Sequence, residues 1–477
     1  MTRPETPYKT IKISAVIIAF LYILVSAGTA FASFTIEDEK KLGKEFYDKL
    51  KEKGVLVKDA KASGYIDKIG KLLLSHDKTS FFDFTFSIVD SSAINAFATP
   101  GGYVYIYSGL IELIENESQL AGVLAHEIGH IKARHIAKTI ESSKKINLTT
   151  IAAVLAGAFL GGGGELTAAV ASFSMATATT LNLKYSREHE EEADRLGMSY
   201  LTRVGYDGKS MLDLLKIMRK YEFYSDSVPS YFLTHPGTED RIIYLDGLLQ
   251  TKYKQRGAES IIGGLGRIKT ALIIDRKDLD SSLRYFQNVL KENPDDTDAL
   301  YGLAVIQGKL GKISESFSNF ERALSISPDD ADILCNMGIF YFNLGKIPEA
   351  IYTLRRARAI DETDADTILY LGRAYDTSGD YNAALDLYKE FMKKNPDDIP
   401  IYYNLAMLYG KMNVSGQSHY NFGIFFKKEH KFKSALFHFR AAEKFFPPGS
   451  EMAGKIKEEI DYINKRPEPR EDGQAKD

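Results

Sequence analysis

A chain of 477 residues, 44% hydrophobic and 26% charged, has room for two or three domains that each bury a core, and its balance is that of ordinary globular protein. A formal charge of −3 leaves no basic footprint and argues against a nucleic-acid partner. The single cysteine, Cys335, rules out an intrachain disulfide.

At the N-terminus Arg3, Lys9 and Lys12 precede an apolar run from Ala15 to Val25, and Ala30-Phe31-Ala32 supplies the small-residue pattern of a cleavage site. Residues 1–32 therefore read as a secretory signal peptide removed before Ser33. An uncleaved anchor is the alternative, because Ile13 to Ala32 is almost long enough to span a bilayer. Without a cysteine beside the cleavage site, a lipoprotein is excluded. Residues 35–74 mix apolar and charged side chains at helical spacing. Phe82 to Ile88 alternates strictly, as a half-buried strand does, and Tyr103 to Tyr107 reads as a second strand after the Pro100-Gly101-Gly102 turn. A small sheet is expected beside the helix that follows.

That helix carries Leu124-Ala-His-Glu-Ile-Gly-His130. Asn116 is placed to cap it, with Gln119 reaching back as the capping-box partner. Leu120, Leu124, Ile128 and Ile131 share one broad face and His126 and His130 share another, so the helix is expected to rest on a core and present both imidazoles to a cleft. Four residues of helix rise about 6 Å, which lets both rings reach one ion at roughly 2.0–2.1 Å. Nitrogen and oxygen ligation suits zinc, one ion per chain, whose catalytic sites take three protein ligands and leave a position open. Glu127, between the histidines, is placed to act as the general base towards water, and a third ligand has to come from elsewhere.

Residues 146–181 are nearly free of charge and are split by Gly161 to Gly164; each half is short for a membrane span, so helices packed on protein, or a flap hinged at the glycines, are expected in preference to a membrane hairpin. Four glycines between Lys254 and Gly266 mark a linker, taken as 256–266. Beyond it, Pro294, Pro328 and Pro396 fall on a 34-residue grid whose remaining node is Glu362. Thirty-four is the tetratricopeptide period, two antiparallel helices per unit. The grid also aligns Gly338 with Gly372, Tyr341 with Tyr375 and Tyr409, and Ala350 with Ala384, while Phe422, Gly423, Phe426, Ala435, Phe439, Ala442 and Pro447 form a last unit shifted by half a period. The repeats are assigned to 267–465, and residues 466–477, which lack apolar anchors, to a disordered tail.

The His-Glu-x-x-His motif followed by Ser186-Arg-Glu-His-Glu190-Glu-Glu-Ala-Asp194 resembles the zinc metallopeptidases related to the CAAX prenyl protease and HtpX. With an N-terminal signal and a repeat tail, the chain is most similar to their periplasmic branch, of the beta-barrel assembly-enhancing kind. The resemblance implies a mainly helical protein: a zincin-like α+β metallopeptidase domain over 33–255, then an α-solenoid. It makes Glu190 the third zinc ligand, a choice spacing alone leaves open among Glu190, Glu191 and Glu192, which also read as a solvated face. Asp194 is implied to orient a ligand histidine. The stretch Asn95 to Pro100 is similar to the family's edge strand, so Asn95, Ala96, Phe97 and Ala98 are expected to face substrate. Thr234-His-Pro-Gly-Thr-Glu-Asp-Arg241 matches a further element, from which His235 is implied as a fourth ligand in a closed state or an oxyanion donor, braced by Arg241. His135 and His189 read as structural; His76, His419, His430 and His438 have no metal-like context.

The function implied is that of a periplasmic zinc endopeptidase acting on misfolded or misassembled envelope proteins, its repeats recruiting clients or an outer-membrane assembly machine. The alternatives are a latent peptidase that works as a chaperone or scaffold through its repeats, and a membrane-embedded protease of the HtpX kind; peripheral attachment to the membrane stays open beside them.

Overall fold

The computed structural model describes residues 34–77, 80–142, 185–225 and 229–465. The expected signal peptide at 1–32, the apolar stretch at 146–181 and the tail at 466–477 lie outside the described residues. Among the described residues no helix is long and apolar enough to cross a membrane. The chain divides into two compact units, with the boundary after Leu272.

The first unit opens with α1 (Ile36–Glu52), whose N-terminus is closed by a capping box of Thr35 and Asp38. Its apolar stripe of Leu42, Phe46 and Leu50 is buried, as is Ile66, Ile69 and Leu73 on α2 (Ala60–Leu74). Three strands follow, β1 (Thr85–Val89), β2 (Ala96–Thr99) and β3 (Tyr103–Tyr107), in the order β1-β3-β2. β1 and β3 run parallel from Thr85 opposite Tyr103, and β2 folds back antiparallel on β3. The alternating run therefore becomes strand only from Thr85, where its partner begins. The β2–β3 turn needs glycine: Gly101 and Gly102 sit at φ +87° and +99°, in the left-handed region that side chains resist.

After α3 (Ser108–Leu113) comes α4 (Glu117–Lys132), which carries the histidine motif. Asn116 accepts from the Gln119 N–H at 3.0 Å as expected, but the Gln119 side chain reaches one residue further back, accepting from the Glu115 N–H at 2.8 Å. Every residue of α4 from Glu117 to Ile131 is buried, so the helix is the axis of its unit rather than a half-exposed amphipath. The unit is completed by α5 (His135–Ser142), α6 (Arg187–Arg203), α7 (Lys209–Ser225), α8 (Ser230–Thr234) and α9 (Thr238–Thr251). Residues of the expected linker bond to this unit: Ala258 donates to Gly205 O and accepts from the Asp207 N–H, and the N–H groups of Ile261, Ile262 and Gly263 donate to the Glu117 carboxylate at 2.6–2.8 Å. α10 (Leu265–Arg276) contains the boundary between the units.

The described residues of the second unit form helices joined by short turns: α11 (Leu279–Glu292), α12 (Thr297–Lys309), α13 (Ile313–Ile326), α14 (Ala331–Asn343), α15 (Ile347–Ile360), α16 (Ala365–Ser378), α17 (Tyr381–Lys394), α18 (Ile399–Lys411), α19 (Ser415–Lys428), α20 (Phe432–Glu443) and α21 (Glu451–Asn464). Two turn types alternate. One holds the proline grid: the residues before the nodes, Asn293, Ser327, Asp361 and Asn395, share one backbone conformation at φ −127° to −133° and ψ 64° to 95°. Glu362 thus occupies the same turn without the proline. Two residues after each node an aspartate, Asp296, Asp330, Asp364 or Asp398, caps the next helix. The other turn is shorter and carries a left-handed residue: Gly311, Gly345, Gly379, Asn413 or His430. The half-period shift arises because two short turns follow in succession, at Asn413 and His430, so α19 closes one hairpin and opens the next.

Candidate metal centre

Two helices build the site by unusually close approach. A Cβ on Gly129 of α4 would fall 2.7 Å from Ala193 O on α6, and one on Gly197 of α6 would fall 3.0 Å from the His126 backbone nitrogen. Only glycine at both positions lets the two backbones meet, and that contact sets Glu190 against both imidazoles. Ser186 caps α6 by accepting from the His189 N–H, which starts the helix one turn before Glu190. A third arm comes from the α8–α9 turn, where Gly237 at φ +81° follows His235 and Pro236 and puts His235 and Arg241 on the same centre.

Ligand-type atoms of His126, His130, Glu190 and His235 all lie within 4.8 Å of one another. His126 Nε2 and His130 Nε2 are 2.9 Å apart and stand 3.4 Å from Glu190 Oε2 and Oε1 respectively. His235 Nδ1 is 3.1 Å from Glu190 Oε1 and 3.4 Å from His126 Nε2. Asp194 Oδ1 lies 2.8 Å from His126 Nδ1, leaving Nε2 of that ring to face the cluster. Arg241 forks across both carboxylates: Nε and Nη2 donate to Asp194 at 2.8 and 2.7 Å, and Nη1 lies 2.8 Å from Glu190 Oε2.

Glu127 is fully buried and neither of its oxygens has a hydrogen-bond partner among the described residues; His235 Nε2, also unsatisfied, stands 3.5 Å from Oε1. Burial raises the Glu127 pKa above the usual carboxylate range, only partly countered by His235 and His126. Burial pushes Glu190 the same way, but His235 and Arg241 overcome it and hold this carboxyl well below its usual range. Asp194 is lowered against burial by Arg241. Burial also pulls His130 far below the ordinary imidazole value. Imidazole nitrogens converging on an ionised carboxylate, with unsatisfied polar atoms beside them and no sulfur among the clustered ligand atoms, make a donor set that fits zinc.

The structure thus gathers His126, Glu127, His130, Glu190, Asp194, His235 and Arg241 into one buried cluster. Asn95, Ala96, Phe97 and Ala98 lie on or beside β2, which has β3 on one side and, among the described residues, no strand on the other. Their side chains are buried, Ala96 and Ala98 in the main core and Phe97 stacked on Tyr105 at 4.7 Å between ring centres, so only the backbone of this strand can be offered to a ligand. Three aromatic contacts escaped the sequence: Tyr185 stacks on His130 at 3.7 Å, Tyr231 on His235 at 4.3 Å, and His135 places Nδ1 2.8 Å from His130 Nδ1. The only signal for His135 was its position five residues past the motif, and a helix break in between removes any periodicity.

Residues 60–249, which contain all seven of these side chains, match Peptidase family M48. The chain carries a peptidase family M48 domain. Tetratricopeptide repeat families match behind it, over 274–331, 319–352 and 365–408. The chain is 33% identical over 217 residues to the beta-barrel assembly-enhancing protease of Escherichia coli (strain K12), covering 45% of this chain and 44% of that protein. It is 32% identical over 223 residues to the Yersinia pestis protein of the same name, 46% of each chain, and 26% identical over 224 residues to the mitochondrial metalloendopeptidase OMA1 of Schizosaccharomyces pombe, 46% of this chain and 64% of that one. The matched stretch is therefore less than half of the bacterial relatives' length. Among solved structures, PilW, a type IV pilus biogenesis factor, aligns with a TM-score of 0.32 at 22% identity over 41% of this chain and 99% of its own. Zinc is the ion of M48 peptidases, and His126, His130, Glu190 and His235 are the M48 domain's candidate ligands.

Proposed function

We propose that the chain is a zinc-dependent endopeptidase of the periplasm that acts on misfolded or misassembled envelope proteins, with its repeats engaging clients or an assembly machine. The observation that carries the reading is the convergence of His126, His130 and Glu190 beside the unpartnered carboxylate of Glu127. His126, His130 and Glu190 would hold the ion, with His235 as a fourth ligand while the site is closed. Zinc in this position supplies Lewis acidity, polarising a carbonyl oxygen and making water more acidic. Glu127, its pKa raised by burial, takes the proton of the attacking water and passes it to the leaving amine. Asp194, braced by Arg241, fixes the His126 tautomer. His235 Nε2, with no partner of its own, is placed to donate to an oxyanion once its ring turns from Glu190. Sequence similarity to beta-barrel assembly-enhancing proteases supports the envelope location and client class.

Glu127→Gln should keep its zinc and lose about 10²–10⁴-fold in peptide hydrolysis. Unchanged casein cleavage by that variant, with chelator still inhibiting, refutes the role of Glu127. A second reading is favoured by the complete burial of Glu127, Glu190 and His235: a latent peptidase that works through its repeats. It wins if Glu127→Gln restores every function of a deletion strain while a chain lacking residues 267–465 restores none.

A further inference from the structure

The two histidines of the motif are held differently. Asp194 fixes His126 directly, but among the described residues the outer nitrogen of His130, Nδ1, faces another imidazole and no carboxylate: it lies 2.8 Å from His135 Nδ1. His130 turns Nε2 towards His126 and Glu190, so the lone pair offered to an ion is on Nε2 and the ring proton is on Nδ1. That N–H can only donate, which makes His135 Nδ1 the acceptor and puts the His135 proton on Nε2, 3.2 Å from Glu192 Oε2. Each link has one proton and one lone pair, and the chain ends on a carboxylate.

His135 reaches this place through a strained turn. Arg134 is one of only three non-glycine residues at positive φ among those described, at +56°, and it is pinned there by Glu39 at 2.6 Å and by Phe34 O at 3.0 Å. The chain reverses at Arg134, and His135 opens α5 fully buried against the ligand ring. His189 stacks on the far side of His135 at 4.2 Å, and Tyr185 covers the face of His130.

We propose that His135 is a positioning residue for the zinc ligand His130, accepting its Nδ1–H and handing the hydrogen bond on to Glu192. The inference rests on the zinc-peptidase reading. His130 then owes its tautomer to a neutral relay where His126 owes it to an anion.

The test is the zinc dissociation constant of the full chain, by competition with a chromophoric chelator at pH 7.5, for wild type, His135→Leu, His135→Asn, Glu192→Gln and His130→Ala, alongside the thermal midpoint of each metal-free protein. His135→Leu keeps the volume but no acceptor and should weaken zinc about 10–100-fold. His135→Asn offers Oδ1 near the position of Nδ1 and should recover most of that loss; Glu192→Gln should give a smaller weakening. Binding within twofold of wild type for His135→Leu, or equal losses in Leu and Asn, overturns the proposal, as does a loss matched by a fall in the metal-free midpoint. If His130→Ala also binds zinc normally, the zinc site itself is misplaced, a different failure from that of the relay.

Discussion

Single residues carry two kinds of work in this chain. At the metal centre a buried carboxylate, Glu127, is kept without partners, while at the other end of the same helix another, Glu117, is saturated with them. Glu117 accepts from the Tyr65 and Tyr206 hydroxyls at 2.8 and 2.7 Å and from the N–H groups of Ile261, Ile262 and Gly263. Burial alone would raise its pKa, but these donors bring it down to about 2. A depressed pKa stabilises the fold above the unfolded value near 4.5, and the contribution fades as pH falls towards 2. Glu117→Gln should therefore cost about 2–3 kcal/mol in urea unfolding at pH 7, a gap from wild type that narrows progressively below pH 4.5. A gap that is constant or widens with acid contradicts this role.

At the scale of elements, what the sequence reveals depends on whether the cause is local. The motif helix, its Asn116 cap, the Pro100-Gly101-Gly102 turn and the proline grid all follow from neighbours along the chain and were readable. The short strand β2, the burial of α4 on every side and the meeting of Gly129 with Ala193 are decided by distant segments, and one sequence gives them no periodicity. The aspartate caps at Asp296, Asp330, Asp364 and Asp398 are local and regular too, each two residues past a grid node. The shift after Met412 was visible as a change of phase; its cause, a second short turn at His430, needs the backbone. Because Asp361 already has the non-helical backbone conformation shared by the residues before the grid prolines, Glu362→Pro should fit and stabilise the repeats by about 0.4–1 kcal/mol, read as a higher urea midpoint. A lower midpoint means this turn differs from its three counterparts.

For the whole molecule, the two units differ in how much function could be read from them. In the M48 domain, residues from three separated stretches, 126–130, 190–194 and 235–241, converge on one centre; the first was readable from the chemistry its spacing allows, and the other two only through the family resemblance. His135 and Tyr185 meet the same centre from outside these stretches, one at hydrogen-bond distance from the His130 ring and the other stacked on it, and a lone histidine or tyrosine with no spacing to a partner leaves no pattern to find. The repeat unit announces its architecture by its period, but its period says nothing of what it holds.

The proposed hydrolysis depends on one zinc ion shared by His126, His130 and Glu190. Anomalous scattering from crystals of the full chain, collected on both sides of the zinc edge, tests this most directly. The prediction is a single strong peak about 2.0–2.2 Å from Nε2 of both histidines and from a Glu190 oxygen. A peak that excludes Glu190, or none at this centre in protein purified with zinc, contradicts it.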